Sequence, residues 1–155
     1  MKKFCSFFLA FSILLLAETG RAQSSMKSPG TIINHIAQYV VDLKVSTDFY
    51  SNIIGLDTIP EPFHDNHHTW FSLGAHGHLH IISGAKSKTP HDKNTHLCFS
   101  VPSVSEFIKV LHQSHVPFEN WAGEKNAVTL RVDGIRQIYF QDPDGYWIEI
   151  NDDKS

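Results

Sequence analysis

An α+β fold built from two βαβββ modules follows from three observations on the sequence. The order strand, helix, further strands occurs twice along the chain. Chemically matched residues recur with it: His35 and His96 open equivalent β-type runs 61 residues apart (96 − 35), and His80 and Glu149 lie in equivalent closing runs 69 residues apart (149 − 80). That period is too long for a solenoid and suits two copies of one supersecondary unit. The third observation is the terminal stretch Ile138 to Asn151, where Asp-Pro-Asp-Gly separates two runs of β-branched and aromatic residues. Pro143 presets φ at the second turn position and Gly145 relieves crowding at the fourth, so the stretch reads as strand, tight turn, strand.

The chain opens with Lys2 and Lys3, an apolar run from Phe4 to Ala17, and Gly20-Arg21-Ala22 at the positions a signal peptidase reads. Residues 1–22 therefore read as a cleaved export signal, and the protein is expected to be periplasmic or secreted. The run is about 14 residues, below the ~18 to 20 that span a bilayer, so no membrane attachment is expected after cleavage. Residues 23–30 are small and polar and read as a flexible lead-in. Residues 31–153 are enough for one domain with its own core. Module 1 covers about 31–83, a polar linker 84–94, and module 2 about 95–151.

Composition narrows the function classes. The mature chain keeps a single cysteine, Cys98, which excludes a disulfide scaffold. A net charge of −3 without any Lys/Arg cluster argues against a nucleic-acid surface. The eleven histidines stand out, because histidine is the commonest metal ligand.

In module 1, Ile32 to Val41 is an apolar, β-branched run that suits a strand buried at least in part on both sides. Asp42 can cap a helix over 45–54, where Val45, Phe49, Tyr50, Ile53 and Ile54 recur at helical spacing, and Gly55 stops it. A loop over 60–68 precedes a strand Thr69 to Leu73, a turn Gly74 to Gly77 and a strand His78 to Ser83. In module 2, Thr95 to Val101 is a strand, and Ser103-Val-Ser-Glu106 is a capping box for a helix burying Val104, Phe107, Ile108 and Leu111. Strands at Val128 to Val132, Ile138 to Gln141 and Tyr146 to Asn151 complete it.

Glu149 alternates in register with Trp147 and Asn151 in a strand. Burying a lone carboxylate costs several kcal/mol, so Glu149 must face water, join an ion pair or bind metal. The repeat favours the last role. Two related modules facing each other across a pseudo-two-fold axis would bring His35, His80, His96 and Glu149 to one point. Three imidazoles and a carboxylate suit one divalent Zn, Ni, Fe, Co or Mn.

The stretches His35 to Leu56, Gly77 to Ile82, Thr95 to Val101 and Asp142 to Ile150 resemble the vicinal oxygen chelate superfamily, which includes glyoxalase I, extradiol dioxygenases, fosfomycin-resistance enzymes and bleomycin-binding proteins. The resemblance implies two modules forming a curved mixed sheet around a metal-containing cavity, with ligands from the first and last strand of each. It also implies a glyoxalase I-like lyase or isomerase acting on a small oxygenated, dicarbonyl-derived substrate. Glu149 would then be both ligand and catalytic base, moving a proton between adjacent carbons. The chain departs from bacterial glyoxalase I in carrying His80 where a glutamate is usual, which leaves Glu149 as the one carboxylate of the quartet.

Three other readings compete. An extradiol dioxygenase would use His35, His96 and Glu149 as a facial triad, but His80 would fill a position that oxygen or catechol needs. A metal-free antibiotic-binding protein has no use for the quartet. A fosfomycin-type thiol transferase needs a phosphonate-binding set of cations that the sequence lacks. The modules can pair within one chain or swap between two, giving a homodimer. Ala37, Tyr39, Cys98, Ser100, Trp147 and Asn151 share strand faces with the quartet, with core packing the expected role of Cys98. His64, His67 and His68 are expected to be solvated loop residues, and Arg131 and Arg136 to hold an anion or form surface ion pairs.

Overall fold

A computed structural model describes residues 30–154, so the segment expected to be an export signal and almost all of the expected lead-in lie outside the described residues. The compact unit that carries the fold starts at Ile32. Its first half comprises β1 (His35–Val40), α1 (Leu43–Phe49), β2 (Thr58–Ile59), β3 (His68–Ser72) and β4 (His78–Ser83). The second half repeats this order with β5 (His96–Ser100), α2 (Val104–Gln113), β6 (Thr129–Leu130), β7 (Arg136–Gln141) and β8 (Trp147–Asn151).

Each half forms a four-stranded mixed sheet, in the orders β1-β4-β3-β2 and β5-β8-β7-β6. β1 runs parallel to β4 and β5 parallel to β8; every other pairing is antiparallel. A parallel pair needs a crossover, and in each half the helix belongs to that crossover. The register makes the repeat quantitative. Ala37 pairs with His80 as Cys98 pairs with Glu149, so His35 matches His96 and His80 matches Glu149.

Local signals act as their chemistry dictates. Asp42 accepts a hydrogen bond from the Val45 amide at 3.0 Å, and Gly55, at φ +83°, ends the helical segment. That segment is α-helical only to Phe49 and continues to Ile54 as a π-helical turn, a difference that apolar spacing does not encode. Ser103 caps α2 through the Glu106 amide at 3.3 Å, but the Glu106 carboxylate pairs with Lys109, so only half of the capping box forms. At the terminal hairpin the Asp142 amide donates to the Tyr146 carbonyl, and Gly145 sits at φ +95°.

The first strand differs from expectation. It starts at His35, leaving Ile32 and Ile33 90% and 66% exposed, and it alternates exposed and buried residues instead of being covered on both sides. β1 is a sheet edge whose Ile36, Gln38 and Val40 face the core while His35, Ala37 and Tyr39 face outward. β2 has two residues, too few for a period to show.

One core serves both halves. Val40, Phe71, Leu79 and Ile81 from the first sheet join Ile138, Phe140, Ile148 and Ile150 from the second, with Phe49 and Tyr50 beside them. The Phe140 ring lies 6.3 Å from Phe49 of α1 and 6.0 Å from Phe107 of α2, so it joins both helices. The terminal turn also crosses between halves. Tyr50 donates to Asp142 at 2.9 Å, Ser46 donates to Asp144 at 2.7 Å, and the Val41 amide donates to Asp144 at 2.7 Å. Both carboxylates are buried, and burial pushes the Asp142 carboxyl above the usual range even though the Tyr50 hydroxyl and the Tyr146 and Asp144 amides, which donate to it, favour its ionised form. The Asp-Pro-Asp-Gly stretch therefore also latches the second module onto the first.

Candidate functional site

Because both sheets turn their apolar faces to the shared core, their polar faces point away from it. On the first sheet that face carries His35, His80 and Trp70. His80 stacks between them, 4.3 Å from His35 and 4.0 Å from Trp70, with interplanar angles of 6° and 2°. His80 is 9% exposed, and its Nε2 is buried without a hydrogen-bond partner. Burial, helped by neighbouring His35, His78 and His68, pushes its pKa below the ordinary histidine value. The His35 Nδ1 lies 2.8 Å from Asn34 Oδ1, which leaves its Nε2 for another partner.

On the second sheet Glu149 lies on central strand β8, 5% exposed. Its Oε1 accepts from Gln137 Nε2 at 2.5 Å, Asn151 Nδ2 at 3.0 Å and Cys98 Sγ at 3.3 Å. Its Oε2 accepts from the Tyr139 hydroxyl at 2.6 Å and lies 3.3 Å from His96 Nε2. Burial pushes the Glu149 carboxyl up, but the donors from Tyr139, Asn151, Cys98 and Gln137 together outweigh it and hold the pKa below the usual carboxylate range. Hydrogen bonds from neutral side chains are thus what chiefly favour the ionised carboxylate. His96 Nδ1 donates to the Lys93 carbonyl at 2.7 Å, so its Nε2 presents a lone pair toward Glu149 whenever the ring is neutral.

The four residues named from the sequence thus form two pairs, His35 with His80 and His96 with Glu149. Among the described residues no group of three or more His, Cys, Asp or Glu side chains gathers to hold a metal ion. The two pairs belong to separate four-stranded sheets, each on the side opposite that sheet's buried apolar residues. Each pair nevertheless has the character of half a metal site. Two histidines have Nδ1 tied to an oxygen, the third has a buried orphaned Nε2, and the 3.3 Å between His96 Nε2 and Glu149 Oε2 suits two ligands of one cation held at about 2.0 to 2.2 Å.

Three residues were missed in the sequence. Gln137 and Tyr139 donate to Glu149 from the adjacent strand, and their alternation with Ile138 and Phe140 is the signal that could have found them. Trp70 packs on His80 from β3, opposite it in register. Other expectations need correction. Cys98 is exposed on the polar face instead of packing in the core, because β5 is an edge strand whose Leu97 and Phe99 turn inward. His68 belongs to β3 and pairs with Asp65 at 2.9 Å instead of lying free in the loop. For Arg131 the expected surface ion-pair alternative is met, through Asp133 and Asp153.

Cys98 yields a direct prediction. Burial of the sulfur and the adjacent Glu149 carboxylate push its thiol pKa to about 12. Despite its exposure, the thiol should react slowly with a disulfide reagent at pH 8 and at the rate of a free thiol once the protein is unfolded. Rapid reaction of the folded protein would show that the Cys98–Glu149 hydrogen bond does not persist.

Comparison with known proteins agrees with this fold. The family model described as Glyoxalase/Bleomycin resistance protein/Dioxygenase superfamily matches residues 32–150. A relative from Arabidopsis thaliana, "Glyoxylase I 4", is 25% identical over 126 residues, spanning 77% of this chain and 70% of its own. Among solved structures, a glyoxalase/dioxygenase from Nostoc punctiforme superposes with a TM-score of 0.66 at 24% identity, covering 82% of this chain and 95% of that one. A lactoylglutathione lyase from Agrobacterium tumefaciens gives 0.59 at 20% identity, covering 80% and 95%. At these identities the structural matches speak for the fold alone.

Proposed function

Since the chain belongs to the glyoxalase/bleomycin resistance protein/dioxygenase superfamily, we propose that it is an exported, metal-dependent, glyoxalase I-like lyase or isomerase acting on a small, dicarbonyl-derived substrate. The observation that carries this reading is the pair of complementary half-sites, each with donor atoms left for a cation. A divalent ion held by His35, His80, His96 and Glu149 would supply Lewis acidity to two neighbouring substrate oxygens. Glu149 is the base: Oε2 takes a proton from one carbon and returns it to the next, while Gln137, Asn151 and Cys98 hold Oε1 still. The other three members are imidazoles, so Glu149 is the one carboxylate of the quartet.

The half-sites are completed in a swapped homodimer, where the first module of one chain faces the second module of its partner. Exposed Tyr39 (55%), beside His35 on the outward face, supports a covered face in the assembly. Complementation of His35→Ala by His96→Ala tests this. Each variant alone should lose bound metal and turnover. Co-refolded at equal amounts, half the dimers mix and each mixed dimer regains one intact site, so about a quarter of wild-type turnover should return. No recovery together with a monomeric mass at full metal occupancy would exclude the swapped arrangement. A screen against dicarbonyl–thiol adducts and catechols assigns the reaction, and cleavage of catechol alone would favour a dioxygenase.

A further inference from the structure

Beside the His35/His80 pair lies an open surface pocket of about 430 Å³ lined by Ile32, Ile33, Asn34, Ala75, Gly77 and His78. His78 stands opposite His35 in the β1–β4 register and lies 6.0 Å from the His80 ring, so the cavity adjoins the half-site. Backbone contacts fix its wall. The His78 amide donates to the Asn34 carbonyl at 3.0 Å, and Gly77, at φ +139°, lets the turn close on it; a Cβ there would meet that carbonyl oxygen at 2.9 Å.

Among the described residues the lining contains no Lys, Arg, Asp or Glu. The four strands of the first sheet, His-Ile-Ala-Gln-Tyr-Val, Thr-Ile, His-Thr-Trp-Phe-Ser and His-Leu-His-Ile-Ile-Ser, contain no Lys, Arg, Asp or Glu either. A substrate with carboxylates or an ammonium group would lose hydration here and find no countercharge. A flat apolar group would instead bury itself against Ile32, Ile33 and the His78 ring, which already takes part in a stack with Trp70 at 6.2 Å.

We propose that this cavity receives the apolar body of an uncharged substrate, an aryl-substituted vicinal dicarbonyl or its adduct with an uncharged thiol, whose oxygens then reach His35 and His80. The inference rests on the proposed function for the oxygen-binding end, but the pocket is testable without the metal. The probes are 1-phenyl-1,2-propanedione, 2,3-butanedione and S-methylglutathione, titrated into the protein as purified and again after chelation. The readouts are the Ile33 methyl and Trp70 indole signals by NMR. The aryl dione should shift both signals and bind at least tenfold more tightly than butanedione, while S-methylglutathione shifts neither. Ile33→Asp should weaken the aryl dione at least tenfold without changing metal content, since residue 33 is solvent-exposed and outside the quartet.

Shifts with S-methylglutathione, equal affinities for the two diones, or silence with all three probes would overturn the proposal. So would an Ile33→Asp variant that alters dimer mass and leaves aryl binding intact, because the patch would then be a subunit interface. Aryl binding in a protein that never holds metal would keep the pocket and remove the metal-site reading, which separates the two failures.

Discussion

Glu149→Gln is expected to lower turnover by roughly 10² or more, the scale of general-base catalysis, while much of the bound metal and the fold remain. Glutamine keeps an oxygen to accept from Gln137 and Asn151. Its amide can replace Oε2 beside Tyr139, whose hydroxyl can accept, and beside the His96 Nε2 lone pair. What it loses is the ability to take a proton. His96→Ala, by contrast, should lose metal and turnover together, and His67→Ala, whose ring lies by Ser83, should lose neither. The comparison is metal content per chain and kcat across these variants plus His35→Ala and His80→Ala. Unchanged metal in all four quartet variants would leave a metal-free binding protein as the better reading. A pH signature accompanies the substitution. The folded carboxyl lies below its ordinary pKa, so its ionised form contributes stability above the unfolded value that is lost as pH falls through the folded one. Wild type should therefore lose stability in the acidic range more steeply than Glu149→Gln.

The largest stability effect is expected at Phe140, 1% exposed and in ring contact with Phe49 of α1 and Phe107 of α2. Phe140→Ala removes a ring that touches both helices and leaves a cavity between the modules. The cost should be about 3 to 5 kcal/mol, a large share of the roughly 5 to 15 kcal/mol that holds a domain of this size together. Urea unfolding followed by CD and by tryptophan fluorescence checks it. A loss below about 1 kcal/mol would mean that the modules do not depend on this contact. Separation of the two probes into distinct transitions would show that they can also unfold independently once the ring is gone.

Much of the fold is legible because the signals are local. Asp42 and Ser103 cap helices through their own side chains, Gly55 takes a positive φ that a side chain would resist, and Asp-Pro-Asp-Gly turns wherever two β runs flank it. The repeat was legible for a different reason: equivalent strands in a duplicated unit must place equivalent residues at equivalent register. The pairing of Ala37 with His80 and of Cys98 with Glu149 bears that out. β2 and the π-helical turn at Tyr50–Ile54 escaped because two residues carry no period and a π turn differs from an α turn in hydrogen bonding alone.

The candidate site divides along the same line. Sequence alone named His35, His80, His96 and Glu149, since donor chemistry and the repeat both act through residue identity and position along the chain. Tertiary structure alone decided that these residues stand as two pairs on outward faces, because that depends on which faces of the sheets share the core. It also supplied Gln137 and Tyr139, which reach Glu149 only through the antiparallel β7–β8 register, and Trp70, which reaches His80 only through β3. An amide, a phenol and an indole have no distinctive chemistry in a sequence; their roles arise from the strand that folding lays beside them.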